Sequence, residues 1–241
     1  MARVRDGGAG PAVVLDLPGG GCWRVENSPA RRVPSHGTDL LALRYAIDLV
    51  GTDADGRSAQ VVDWRTVLAV EPPERFVGFG RPVLAPVAGT VVAAHDGEPD
   101  HGGRRSPLTL LPYALGQAGR LRRGIAAVAG NHVVVARADG GCVAVAHLRA
   151  GSVRVRVGQA VAAGEPVGEC GCSGNATEPH VHLQAMDGPD PARARGLPLA
   201  LGAYEERSAD GTWLPRARAV PPEGAVVRRA QIGGSARDRW F

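Results

Sequence analysis

Residues 130–175 read GNHVVVARADGGCVAVAHLRAGSVRVRVGQAVAAGEPVGECGCSGN, a series of short apolar runs cut by glycine turns. Strands and turns at this spacing mark an all-β sandwich or barrel. Composition points the same way: 34 glycines and 19 prolines with only 4% aromatic residues suit turns and short strands better than a helical bundle. At 241 residues the chain fits one large all-β domain or two small ones, and it is long enough to bury a real core.

C-terminal to that stretch stands EPHVHLQAMD, residues 178–187, with two of the chain's seven histidines at alternate positions. In an extended strand His180, His182 and Gln184 share one face, and Val181, Leu183 and Ala185 share the other. The apolar face can enter a core. The imidazoles then stand roughly 6 to 7 Å apart at the usual strand rise, so one can ligate a metal while the other reaches a water or a substrate oxygen. The plain alternative is two surface histidines on an edge strand.

Upstream, SHGTDLLALRYAIDLVGTDADG (35–56) holds a second informative strand, in which Tyr45, Ile47 and Leu49 alternate with Ala46, Asp48 and Val50. A carboxylate in the middle of an apolar strand is costly to bury alone, so Asp48 requires a cation or several donors. Asp39, in HGTD, is the rival carboxylate, but it sits in an irregular polar stretch. Residues 81–100 read as a strand, a Pro/Gly corner and a second strand. Residues 104–127 interrupt this pattern with a helical composition whose length Pro112 and Gly116 limit; this is a short insertion, with a lid as one role. His95 and His101 flank the turn HDGEPDH and are expected to be exposed. His132 reads as a packing or turn residue, and His147 closes the strand CVAVA. From about 190 the pattern loosens into a polar, Arg- and Pro-rich tail. The organisation expected is therefore a domain over 1–190, with its core at 36–186 and N-terminal strands at 1–35, followed by an extension at 191–241.

The net charge is +4 and lysine is absent, so every positive side chain is arginine. RLRR (120–123) and VRR (227–229) lack the interleaved aromatics that stack on bases, and no nucleic-acid role is expected. No apolar run approaches a membrane span, and before Asp16 the N-terminus offers only Ala12–Leu15. As it stands the sequence points to the cytoplasm, and to the cell wall if the true start lies upstream. Four cysteines are too few for a disulfide scaffold; Cys170 and Cys172 form a CxC that either carries a metal or redox role or packs beside a glycine-rich turn.

Taken in order, HG, YAIDLV, APVAGTVV, GNHVVV, AHLRAGSVRVRVGQAVAAGEPVGECGCSGN and PHVHLQ resemble the lysostaphin-type (LytM-like) zinc endopeptidases, a family of peptidoglycan hydrolases. The resemblance spans residues 36–186. It implies the duplicated hybrid motif, a barrel-sandwich hybrid-like antiparallel fold, and one Zn2+ held by His36, Asp48 and His182, with His147 and His180 as the catalytic histidines. Two histidines and a carboxylate leave a fourth position free, as a hydrolytic zinc site needs. In the commonest family pattern the first histidine stands four residues before the aspartate. Here that slot is Arg44, so His36, twelve residues before Asp48, must arrive from a loop.

The implied function is zinc-dependent cleavage of peptide bonds in peptidoglycan stem peptides or cross-bridges, with His180 or His147 as the general base. The alternative is a silent member of the same fold acting as a partner-binding or regulatory domain. A third reading, a swinging-arm carrier domain, follows from the rhythm of VRVGQAVAAGEPVGE, but carriers attach their cofactor to lysine and the chain has none.

Overall fold

A computed structural model describes residues 12–230. The expectations for residues 1–11 and 231–241 lie outside the described residues.

The chain begins with β1 (Val13–Leu15), β2 (Cys22–Glu26) and β3 (Ile47–Thr52), followed by the short helix α1 (Trp64–Leu68), then β4 (Pro82–Leu84) and β5 (Gly89–His95). The insertion is helical, as its composition indicates: α2 (Pro107–Leu115), α3 (Gln117–Arg122) and α4 (Ile125–Ala129). Ser106 caps α2 through a bond from the Leu108 amide, and Gly116 ends it. Next come β6 (Asn131–Ala136), β7 (Cys142–Leu148), β8 (Ala160–Val161), β9 (Pro166–Glu169) and β10 (His180–Met186). The last strands are β11 (Gly196–Leu197), β12 (Leu199–Arg207), β13 (Trp213–Ala219) and β14 (Val226–Arg229).

One large sheet runs β1-β12-β14-β2-β3-β10-β7-β6-β5-β8, with β11 on β10 and β13 on β12, while β4 and β9 pair separately. Every pairing is antiparallel except β1 with β12. Those two are joined by most of the chain rather than by a hairpin, so no tight turn imposes a direction on them. The strands after residue 190 belong to this sheet: β14 pairs with β2, and Leu201, Tyr204 and Val227 enter the same buried cluster as Trp23 and Ile47.

Alternation along the central strands decides what faces where. Ile47 and Leu49, Val143 and Val145, and Val181 and Leu183 point into the main core. The opposite face of the same strands presents Asp48 on β3, His182 directly across from it on β10, and Ala146 across from His182 on β7. The expected strand over 45–50 starts at Ile47, because Leu40–Tyr45 form a 3-10 segment broken by positive φ at Leu41 and Ala42.

Asn131 fixes the turn beside these strands. Its Oδ1 accepts from the Gly97 and Glu98 amides at 2.9 and 2.8 Å, and its Nδ2 donates to the Glu98 and Leu148 carbonyls at 2.8 and 3.1 Å. All four are met inside the protein, and the residue is fully buried. Asn131→Ala orphans those groups and is expected to cost about 2–4 kcal/mol in urea unfolding. A loss below about 1 kcal/mol means that water replaces the amide at no penalty.

Candidate active site

His36 lies in a turn after the Val33–Pro34 cis peptide, and the fold brings it to β3 and β10 from outside the sheet. Its Nε2 stands 3.1 Å from Asp48 Oδ2, and His182 Nδ1 stands 2.8 Å from Asp48 Oδ1. Among the described residues these three form a group whose ligand atoms all lie within 4.8 Å of one another.

Hydrogen-bond polarity shows what this group is missing. Ser35 Oγ gives its proton to the Leu43 carbonyl at 3.1 Å, so it can only accept from His36 Nδ1 at 3.0 Å. That puts the proton of a neutral His36 on Nδ1 and leaves Nε2 bare, facing a carboxylate oxygen. His182 repeats the pattern. Gln184 donates from Nε2 to the Leu41 carbonyl at 3.1 Å, which turns its Oε1 toward His182 Nε2 at 2.9 Å. His182 Nε2 is then the donor, and Nδ1 meets Asp48 bare.

Two imidazole lone pairs thus converge on one carboxylate, a repulsive arrangement unless positive charge lies between them as protons or as a cation. The two contacts engage different oxygens of Asp48, and the three ligand atoms lie within 4.8 Å of one another, so small side-chain rotations bring them to one ion with bonds of ~2.0–2.1 Å. The donor set therefore fits a dication with an open fourth position. With protons rather than a cation between these groups, burial still pushes the Asp48 carboxyl up, but positive charge on His36 and His180 and the N–H bonds then given by His182 and His36 outweigh it and hold the group well below the usual carboxylate range. Asn27 adds a bond from Nδ2 to Asp48 Oδ2 at 2.7 Å.

The other two histidines stand alongside. Strict alternation would send His147 to the core side of β7, opposite Ala146; its φ of 62° turns the ring instead onto the site face, 4.6 Å from the His180 ring and 5.8 Å from that of His182. Of the five non-glycine residues with positive φ among those described, Asn27, Leu41 and His147 line this site. Backbone strain is concentrated where it aims side chains. His147 Nδ1 lies 2.9 Å from the Ser173 carbonyl, and His180 Nδ1 lies 2.8 Å from that of Glu178. A carbonyl only accepts, so both Nδ1 atoms carry protons and both Nε2 atoms are bare when the rings are neutral. Burial, then the neighbouring His180 and His182, hold the His147 pKa well below the ordinary histidine value, and His147 is neutral at pH 7.

The five residues open on a cavity of about 270 Å³. Ala144 and Ala146 keep its floor low, and Ile125, Val128 and Ala129 of α4 form one wall, so the helical insertion borders the site directly.

Residues 115–193 match the family model described as peptidase family M23. Over that third of its length the chain is M23-like in sequence. The matched segment contains His147, His180 and His182, whereas His36 and Asp48 lie upstream of it. Among solved structures, the fold is similar to the catalytic domain of lysostaphin from Staphylococcus simulans. Identity is 19% over 63% of this chain and 74% of that one, with a TM-score of 0.35. It is also similar to a catalytic-domain mutant of the prophage-encoded M23 protein EnpA from Enterococcus faecalis, at 21% identity over 58% of this chain and 94% of that one, TM-score 0.34. Scores this low say nothing about activity, which must come from the side chains themselves. No curated protein matches the sequence.

The remaining sequence readings divide. Asp39 stays outside the group, exposed and paired with Arg44 Nη1 at 2.9 and 3.2 Å. His95 is partly exposed and reaches Glu98 at 3.3 Å, and it stacks on His132, which lines the cavity. His101, expected on the surface, is half-buried between the Gly102 and Gly174 carbonyls, and burial lowers its pKa. Cys170 and Cys172 are free and buried; burial pushes the Cys170 thiol up to about 12 and Cys172 upward as well, so both are inert thiols at neutral pH.

Asn27, Ser35 and Gln184 were not assigned roles from sequence. For Gln184 the signal was present, since it shares the strand face of both histidines; for Asn27 and Ser35 there was none. Gln184→Leu removes the acceptor that fixes the His182 tautomer and is expected to weaken metal binding about 10- to 100-fold in a competition titration. Affinity unchanged in that variant means another group orients the ring.

Proposed function

We propose that this chain is a zinc-dependent endopeptidase that hydrolyses peptide bonds in peptidoglycan stem peptides or cross-bridges. The observation that carries the reading is the convergence of two bare imidazole nitrogens on the buried Asp48 carboxylate, next to two further histidines with bare Nε2 atoms.

His36 Nε2, Asp48 and His182 Nδ1 would hold the ion. Bound there, zinc supplies a Lewis acid that polarises the scissile carbonyl and brings the acidity of water toward neutral pH. His180 Nε2, 3.7 Å from Asp48 Oδ1, takes up a proton from water and returns it to the leaving amine. His147 is held neutral by burial, so its Nε2 can share that proton, and once protonated it can donate to a developing oxyanion. The alanine floor and the α4 wall leave room for a peptide with small residues at the bond. Residues 1–190 form the catalytic unit in this reading, and the described strands after residue 190 buttress its sheet. A cell-wall substrate places the working enzyme outside the cytoplasm.

Purified peptidoglycan digested with the zinc-loaded chain is expected to give fragments with new amino termini by mass analysis. A chelator should stop their release, and stoichiometric zinc should restore it. Zinc binding without any fragment release favours the silent, partner-binding alternative instead.

A further inference from the structure

Among the described residues, the main apolar exposure lies away from the catalytic cavity. Val62, Trp64, Leu68, Leu108, Leu111 and Leu115 are each at least 60% exposed. They belong to two segments that touch: Arg105 donates to the Val61 carbonyl at 2.9 Å, Ser106 Oγ donates to the Val67 carbonyl, and the two arms of Glu71 bond Arg105 at 2.7 Å. Trp64 with Leu68, and Leu108 with Leu111 and Leu115, follow helical spacing, so each short helix turns an apolar stripe outward rather than toward the core. A contiguous apolar patch of this kind marks an interaction surface.

Charge identifies what it meets. Residues 101–138 contain six arginines and no aspartate or glutamate. Several of these guanidinium groups are committed within the fold: Arg105 to Glu71, Arg120 to Asn175, Arg137 to Asp139. Arg65, Arg122 and Arg123 are exposed and form no ion pair among the described residues. Trp64, Leu68, Leu108, Leu111 and Leu115 line none of the pockets that Val62 and the catalytic histidines border, and at 60% exposure or more they protrude from the surface. Protruding leucines and a tryptophan, with Arg65 stacked over the Trp64 ring and Arg122 and Arg123 free of ion pairs among the described residues, match the two depths of an anionic bilayer, the acyl boundary and the phosphate layer.

We propose that α1 and α2, with the arginines of α1 and α3, form a peripheral docking surface for an anionic lipid bilayer. No described helix is long and apolar enough to cross a membrane, and α2, with nine residues, lies in the interface plane. Because α4 of the same insertion walls the cavity, docking sets the site at short range from the membrane. This holds whether or not the cavity is catalytically active.

Co-sedimentation of the full chain with phosphatidylcholine vesicles, with and without about a third phosphatidylglycerol, tests it. Binding is expected to be at least ~10-fold stronger on the anionic vesicles and to weaken with salt. Leu111→Glu with Leu115→Glu should lose at least ~10-fold, and Arg122→Glu with Arg123→Glu a similar factor, with thermal unfolding unchanged because all four residues are exposed. Equal binding to neutral vesicles, no binding to either, or full binding by the leucine variant overturns the proposal. So does self-association in lipid-free buffer that the leucine variant disperses, since the patch would then be covered by a second copy.

Discussion

Asp48→Asn is expected to fold with its stability within about 1 kcal/mol of the parent and to lose zinc affinity by at least ~100-fold. Asparagine keeps the shape of the side chain and replaces one carboxylate oxygen with an N–H donor, so it can satisfy one of the bare histidine nitrogens that now faces Asp48. In metal-free protein that exchange relieves the lone-pair conflict. In metal-loaded protein it removes the only negative charge of the ligand set. Loss of partners one step removed from a metal already costs 10- to 100-fold, which sets the floor for losing a ligand. The parent should show a melting temperature that rises with zinc, because an ion that binds only the folded state stabilises it by mass action. The variant should show none. A variant that keeps the full zinc-dependent rise would remove Asp48 from the ligand set and with it the reason for the convergence of His36 and His182.

Asp48 was also the most legible part of the site. An acidic residue in the middle of an apolar strand requires compensation on whichever face it stands, so the sequence alone calls for a cation or donors there. The HxH face was legible for the same reason: a period of two fixes which side chains stand together. What alternation cannot express is a break in alternation. His147 reaches the site only because its φ of 62° rotates it off the core side, and nothing in CVAVAHL marks that residue as left-handed. Nor does a period reveal which loop closes over a strand, so Asn27 and Ser35 were invisible. The strands over 199–229 were obscured by composition: β13 carries an exposed proline and arginines, with few of the buried apolar positions that make a strand readable. Their anchoring residues, Leu201, Tyr204 and Val227, are spaced too far apart to signal on their own.

His147→Ala and His180→Ala are each expected to lower kcat by about 10²- to 10⁴-fold while leaving zinc content unchanged. Neither residue belongs to the ligand group, and each is held by a backbone carbonyl that remains in place after substitution. Their rings are 4.6 Å apart, close enough for both bare Nε2 atoms to serve the same proton. Residues that act as one unit do not contribute independently, so the double variant should fall no more than about tenfold below the worse single variant. Independent roles, with one histidine handling the proton and the other only the oxyanion, predict a multiplied loss instead. The partition between kcat and KM separates both cases from simple loss of packing. A packing defect shifts KM and thermal stability together, whereas a lost proton acceptor lowers kcat at constant KM. Activity of the His180 variant within tenfold of the parent, at full zinc occupancy, would show that the first imidazole of the HxH pair does not move the proton and would leave that work to His147, which burial keeps neutral.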